Sequence, residues 1–383
     1  MIYEKEKTAH NASVGAEGRQ SNPNNNAIIA DIDDDFKDYV DEDEDIEEQF
    51  ERMQRMLDPN YLCTVTMPEL YDNVYQNKPP IIDGLLYRGT YLFAGAPKIG
   101  KSFLMAQLAY HVSTGTPLWG YPVKQSPVLY LALEDTYERL QRRMYQMFGT
   151  DCSRNLHLTV CAGQVGTGLE TQISNFLEEQ PDTSLVIIDT LQKVREASGE
   201  SYSYASDYDI ISRLKHFADA KGICLVLVHH TRKQRSEDKF DMISGTNGLL
   251  GAADGAFLLR KEDRTSNEAI LDISGRDQQD QRLELLRDPN TLTWTLERAE
   301  TEPWKRPPEP LLESVSSFLA SSGESWTGSP TELVSLLGVD IKPNTLTMKL
   351  NINAGRLMNE YGIRYESSRC HDGRRITFCR EKT

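Results

Sequence analysis

Gly95-Ala96-Pro97-Lys98-Ile99-Gly100-Lys101-Ser102 decides the reading of this chain. The stretch has the spacing G-x-x-x-x-G-K-S. It follows an apolar run, Thr90-Tyr91-Leu92-Phe93-Ala94, and precedes an amphipathic run over residues 103–113. Strand, glycine-rich loop and helix are the context in which that spacing cradles phosphates. The glycines let backbone N–H groups turn inward, and the helix N-terminus adds partial positive charge. Gly95 to Ser102, with Phe103 just beyond, are therefore the expected nucleotide contacts. Lys101 is expected to reach the β- and γ-phosphates, and the Ser102 hydroxyl to ligate Mg²⁺.

Outward from the loop, apolar runs alternate with helical patterns. Strands are predicted over residues 128–133, 156–160, 185–188 and 223–228, and helices over 137–148, 169–179 and 207–220. Continuous apolar strands separated by helices imply a parallel sheet covered on both faces. After Ala252 the character changes. Short strands over 256–260, 268–274, 283–287 and 293–296, with turns such as Asp288-Pro289-Asn290, predict an antiparallel edge.

The 383 residues carry a formal net charge of −16. Residues 30–51 hold about −12 of it, so the rest carries only about −4 and the overall acidity says little about the working surface. Residues 1–57, polar and then acidic, bury too little apolar surface to offset the entropy of ordering. They read as a disordered tail, either merely solvated or competing with DNA for a basic surface. None of the six cysteines forms a C-x-x-C pair, so the expectation is free thiols in a reducing cytoplasm. No apolar run is long enough for a bilayer, and no signal peptide is expected.

Three further strand ends carry polar groups. Asp189 closes the run Leu185-Val186-Ile187-Ile188, the Walker B arrangement, where it would hold Mg²⁺ together with Ser102. Glu134 follows the 128–133 strand and is placed to direct the attacking water, with Asp135 capping the next helix. His229-His230-Thr231 closes the 223–228 strand; His230 is the expected γ-phosphate sensor and His229 the runner-up.

Taken together and in order, Gly95–Ser102, Leu131-Ala132-Leu133-Glu134-Asp135, Leu185–Asp189 and Val228-His229-His230-Thr231 resemble the RecA-like P-loop ATPases. The resemblance is greatest to the RepA-type hexameric helicases of plasmids and mobile elements, relatives of the DnaB replicative helicases. It covers roughly residues 61–299. In that family the catalytic glutamate lies at the end of the strand after the P-loop helix, which matches Glu134. In AAA+ proteins it follows the Walker B aspartate, a position held here by Thr190. The resemblance implies an ATP- and Mg²⁺-dependent homo-hexamer acting on single-stranded DNA. A primase or replication initiator is an implied partner. An arginine finger is also implied, for which Arg276 in Ser274-Gly275-Arg276-Asp277 is the candidate and Arg260 the second choice.

Two loops offer basic residues to a nucleic acid, or are ordinary surface loops: 193–204 with Lys193, Arg195, Tyr202 and Tyr204, and 231–248 with Arg232, Lys233, Arg235 and Lys239. A proline-rich linker, 301–310, divides an ATPase domain (58–300) from a C-terminal unit (311–383). That unit is predicted as helices over 311–320, 330–337 and 344–360 and a hairpin, the pattern of a winged helix. From Lys342 onward it carries about +5. Lys349, Arg356, Arg374 and Arg375 are its candidate DNA contacts, unless the unit docks a protein instead. The expected function is a DNA-directed motor ATPase, most specifically a replicative helicase. A recombination or repair ATPase, a regulatory DNA-binding ATPase and a non-DNA signalling ATPase remain open.

Overall fold

A computed structural model describes residues 58, 60–62, 64–75, 78–195, 204–231, 240, 248–263, 265–276, 278–300, 307–370 and 373–381. The chain divides into two units, 1–62 and 63–383. The tail expected over 1–57 lies outside the described residues, as do Arg232, Lys233, Arg235, Lys239, Tyr202 and Asp277. The few described residues of the first unit form a turn, in which Asp58 accepts hydrogen bonds from the amides of Asn60 and Tyr61.

The larger unit begins with a short helix, α1 (Met67–Asp72). The P-loop strand β1 (Gly89–Gly95) and helix α2 (Lys101–Thr114) follow. Next come β2 (Val128–Ala132), α3 (Tyr137–Phe148), β3 (Leu156–Thr159), α4 (Leu169–Glu179), β4 (Leu185–Asp189) and the single turn α5 (Leu191–Val194). Helix α6 (Tyr204–Lys221) leads to β5 (Cys224–His230), and α7 (Gly248–Ala252) leads to β6 (Gly255–Arg260). Three more strands, β7 (Glu268–Gly275), β8 (Gln278–Arg287) and β9 (Trp294–Ala299), complete the sheet.

The nine strands lie in the order β3-β2-β4-β5-β1-β6-β7-β8-β9. Strands β3 to β6 pair in parallel; β6 to β9 pair antiparallel. This is the mainly parallel α/β sheet with an antiparallel edge that the sequence predicts. The unbroken apolar strands have a simple cause. Successive side chains point to opposite faces, and both faces are covered. Tyr91 and Phe93 of β1 join the core under α2, with Leu104, Met105 and Leu108. Leu92 and Ala94 join the opposite core, with Leu169 and Ile173 of α4 and Ile211 and Leu214 of α6.

The C-terminal unit packs α8 (Pro310–Ser322), α9 (Pro330–Leu337), α10 (Pro343–Ile352) and α11 (Ala354–Tyr361) against a three-stranded sheet. Its strands are β10 (Ser325–Gly328), β11 (Ile363–Cys370) and β12 (Gly373–Arg380), in the order β10-β12-β11. Two features depart from the sequence reading. The helix expected over 344–360 is broken at Asn353, whose side chain donates to the Lys349 carbonyl at 2.8 Å and whose φ of −103° leaves the helical range. Strand β10, too short for a periodic signal, was not expected. Residues 307–309 of the expected linker are clasped: Lys349 pairs with Glu309 at 3.0 Å, and Arg356 donates to the Pro307 carbonyl at 3.3 Å.

Helix α1 precedes the sheet in the chain but packs on α10 of the C-terminal unit. Asn351 Nδ2 donates to the carbonyls of Tyr71 (2.9 Å) and Asp72 (2.8 Å), closing the end of α1, while the Tyr365 hydroxyl donates to Asn351 Oδ1 at 2.7 Å. Val74 extends the core of that unit.

Candidate functional site

In a parallel sheet, the loops after the carboxyl ends of the strands share one edge. Four of the expected groups meet there. The P-loop leaves β1 at Gly95 and reaches α2 through Gly100, whose φ of 106° suits glycine. A side chain at Gly100 would also strike the Trp294 ring, 2.9 Å from the Cβ position. Lys101 is buried, and its Nζ donates to the Gly95 carbonyl at 2.8 Å and the Ala96 carbonyl at 3.0 Å. Burial pushes its pKa down to about 8, partly opposed by the negative charges of Asp189 and Glu134.

His230 ends β5 opposite Gly95 of β1. Its Nδ1 lies 2.9 Å from Lys101 Nζ. Burial and the charge of Lys101 both depress the imidazole pKa, favouring the neutral ring whose Nδ1 accepts from the ammonium. His230, not His229, is thus the histidine that meets the P-loop lysine.

Asp189 is buried at the end of β4 and accepts hydrogen bonds from Ser102 and from the Tyr130 hydroxyl, the latter at 3.0 Å. Burial raises its pKa, and those two hydrogen bonds hold it back. Glu134 lies just beyond β2, solvent-exposed, and its Oε1 accepts from Thr190 Oγ1 at 3.3 Å. Asp135 does not cap the following helix. Thr136 does so, its Oγ1 accepting from the Arg139 amide, while the Asp135 carboxylate faces inward and receives a two-pronged Arg143 at 2.6 and 3.1 Å. An inward carboxylate matched by a guanidinium is better satisfied than one turned to the helix end.

The donor set suits Mg²⁺ with a nucleotide: a hydroxyl and a carboxylate already joined, a buried lysine aimed at the glycine loop, and a second carboxylate at the rim. The sequence reading missed a group on the antiparallel edge. Gln107 of α2 clamps Trp294 of β9 through both backbone atoms, at 2.7 and 2.8 Å. Arg287 and Arg143 lie over the Phe103 ring at 4.4 and 4.9 Å, and Lys261 over Trp294 at 5.4 Å. No motif flags Arg287 or Trp294, because they lie on β8 and β9, three and four strands from β1 in the sheet and far from the P-loop in sequence.

The remaining candidates lie elsewhere. Gly275, at the end of β7, pairs with Gly255 at the start of β6, so Arg276 sits at the amino end of the parallel strands, away from the chain's own P-loop. It is exposed, and its Nη2 donates to the Gly251 carbonyl at 3.0 Å. Arg260 is tied to Asp272, with Arg282 on the other oxygen. Lys193 is exposed on α5, and Arg195 follows it, half-buried. In the C-terminal unit Lys349 pairs with Glu309, Arg356 with Glu360 at 2.7 Å, and Arg374 with Asp72 at 3.3 Å beside Arg369. Arg375 is exposed. Among the described residues, no helix is long and apolar enough to cross a membrane.

Comparison with known families agrees with the P-loop reading. Residues 63–236, somewhat under half of the chain, match the family described as an AAA domain. One solved ATPase domain is similar at 16% identity over 66% of this chain and 99% of that one, with a TM-score of 0.46. A DnaB-like replicative helicase, described with its interactions with primase, is similar at 14% identity over 70% and 74%, with a TM-score of 0.48. A KaiC-like protein, PH0186 of Pyrococcus horikoshii OT3, is similar at 14% identity over 59% and 99%, with a TM-score of 0.40. No curated protein matches. Whatever the family's label, Thr190 follows Asp189 here, and the carboxylate that meets Thr190 is that of Glu134. Residues 63–236 therefore combine a match to the AAA domain family with a P-loop at the carboxyl edge of a mainly parallel sheet.

Proposed function

We propose that this protein is a Mg²⁺-dependent ATP hydrolase acting on DNA, of the RepA-like helicase kind. One observation carries the catalytic part of that reading: Lys101, Ser102 with Asp189, Glu134 and His230 converge from four strand ends onto one edge of the sheet. Lys101 and the P-loop amides hold the phosphates. Ser102 and Asp189 hold Mg²⁺, which when bound supplies charge neutralisation for the leaving and transferring phosphates. Glu134 orients the attacking water, and the Thr190 hydroxyl positions that carboxylate. His230, in contact with Lys101, couples the state of the phosphates to β5 and the loop after it.

Arg276 sits far from its own P-loop, so a finger role belongs to a neighbouring copy's nucleotide and requires an assembly, a homo-hexamer in this reading. In this reading the C-terminal unit serves as a winged helix, with its basic hairpin as the duplex-facing part; its order of helices and strands supports that assignment. The pairing of Lys349, Arg356 and Arg374 with in-chain acids favours one variant of the proposal. In it single-stranded DNA is gripped mainly by the loops after β4 and β5, and the C-terminal unit adds a weaker contact.

Steady-state ATP hydrolysis with and without single-stranded DNA tests this, alongside solution mass with a non-hydrolysable ATP analogue. Stimulation by DNA together with a nucleotide-dependent ring supports it. Hydrolysis indifferent to DNA would remove the nucleic-acid part and leave a signalling ATPase. Strand displacement on a forked duplex separates helicase from recombination or repair ATPase.

A further inference from the structure

A cleft of about 810 Å³ opens at the amino end of the parallel strands, the edge opposite the P-loop. Its walls come from the residues leading into β1, β2, β4 and β5: Arg88, Ser126, Ser184 and Ile223. The volume falls in the range of small-molecule sites, roughly 300–1,000 Å³.

Positive charge converges on it. Arg88 Nη1 donates to the Gly222 carbonyl at 2.8 Å, and Lys78 Nζ reaches the same oxygen at 3.5 Å. Gly222 has a φ of +59°, a left-handed conformation that suits glycine and turns its carbonyl toward both cations. Arg88 Nε is buried with no hydrogen-bond partner, and no carboxylate pairs with Arg88 among the described residues. Lys124 and Lys221 stand exposed at the rim. Two carboxylates, Glu178 and Asp182, also line the cleft, but both are exposed on its outer wall. The hydroxyls of Ser126 and Ser184, bonded to each other, add neutral donors between β2 and β4. A half-buried guanidinium whose buried Nε has no hydrogen-bond partner is costly unless an anion completes it. Nothing in the nucleotide site needs this arrangement, since the whole length of the strands separates the two.

We propose that this cleft binds a small polyphosphate or phosphorylated anion, with Arg88 as its inner contact and Lys78, Lys124 and Lys221 at its mouth. A fork-shaped guanidinium beside an ammonium is the donor set that such an anion's oxygens fit.

The test uses the full chain with its P-loop blocked by saturating Mg-ADP and titrates inorganic tripolyphosphate by calorimetry. The expected result is saturable binding of one anion per chain, weakened about tenfold or more by Arg88→Gln and by the exposed change Lys221→Glu. The same binding should survive Lys101→Ala. Because Lys221 is exposed, its substitution keeps the test informative should Arg88→Gln impair folding. Absence of saturable binding overturns the proposal. Binding lost in Lys101→Ala but kept in Lys221→Glu also overturns it, placing the anion in the P-loop and leaving the nucleotide reading intact. If Lys221→Glu weakens a thymidine oligonucleotide but not tripolyphosphate, the surface belongs to a nucleic-acid backbone and the small-anion site is refuted.

Discussion

The cations of the P-loop and those of the C-terminal unit are managed in opposite ways. Lys101 is buried and held by neutral carbonyls and a histidine, with the carboxylates of Asp189 and Glu134 near enough to temper its pKa but paired elsewhere. Lys349, Arg356 and Arg374 are each matched directly to a carboxylate of their own chain. A desolvated, uncommitted charge is poised for phosphate, whereas a charge already paired must give up its partner before it can grip one. The formal surplus of the C-terminal unit therefore overstates the field it offers to DNA, while a single lysine at the P-loop counts for more than its formal charge suggests.

Removing the uncommitted charge should have the largest effect. Lys101→Ala is expected to lower ATP turnover by about a hundredfold or more. Turnover within a few fold of the parent would break the contrast at its stronger end. Next, Glu134→Gln should keep nucleotide binding, read by equilibrium titration, but slow hydrolysis by about 10²-fold. Near-normal hydrolysis would remove Glu134 from the water-directing role.

A pH series sharpens the same comparison. The pKa of Lys101 lies at about 8 in the fold, below its ordinary 10.5. The unfolded chain binds more protons between those values, so the fold should gain stability as pH rises through that window. Affinity for ATP should move the other way above about pH 8, because binding must then recharge the lysine. Thermal melts and ATP titrations of the parent against Lys101→Met check both signs; identical pH profiles would refute the depressed lysine. The smallest effect is expected at the paired end. Asp72→Asn frees Arg369 and Arg374 from a half-exposed carboxylate. It should shift stability by no more than about 0.5 kcal/mol and raise DNA affinity less than about tenfold in a gel shift. A large loss of stability would mean that α1 is held by more than surface charge.

Much of the nucleotide site was legible because its chemistry sits at strand ends, where local hydrophobic runs announce the element and the next residue supplies the group. Asp189 after Leu185–Ile188 is of that kind; after Val228 the run offers two histidines, and the contact with Lys101 selects the second, His230. Asp135 was misread because its position before a helix suggests a cap equally well. Only the placement of Arg143, two turns into α3, turned the carboxylate inward and left the cap to Thr136. The broken helix at Asn353 was hidden for a similar reason. Helical periodicity continues through it, and the break lies in a side chain that bonds the preceding turn.

The order of motifs along the chain determined, without coordinates, that a P-loop, a Walker B aspartate, a glutamate and a histidine would share one edge of a parallel sheet. Parallel strands joined by helices leave their carboxyl ends no other place. What only the tertiary structure decided are the contacts between residues distant in sequence. These include Trp294 clamped to Gln107 beside the P-loop, α1 closed by Asn351 of α10, and Arg88 and Lys78 brought together on Gly222. Such meetings depend on how faces pack and how the sheet edge is placed, and no local pattern of hydrophobic and polar residues encodes them.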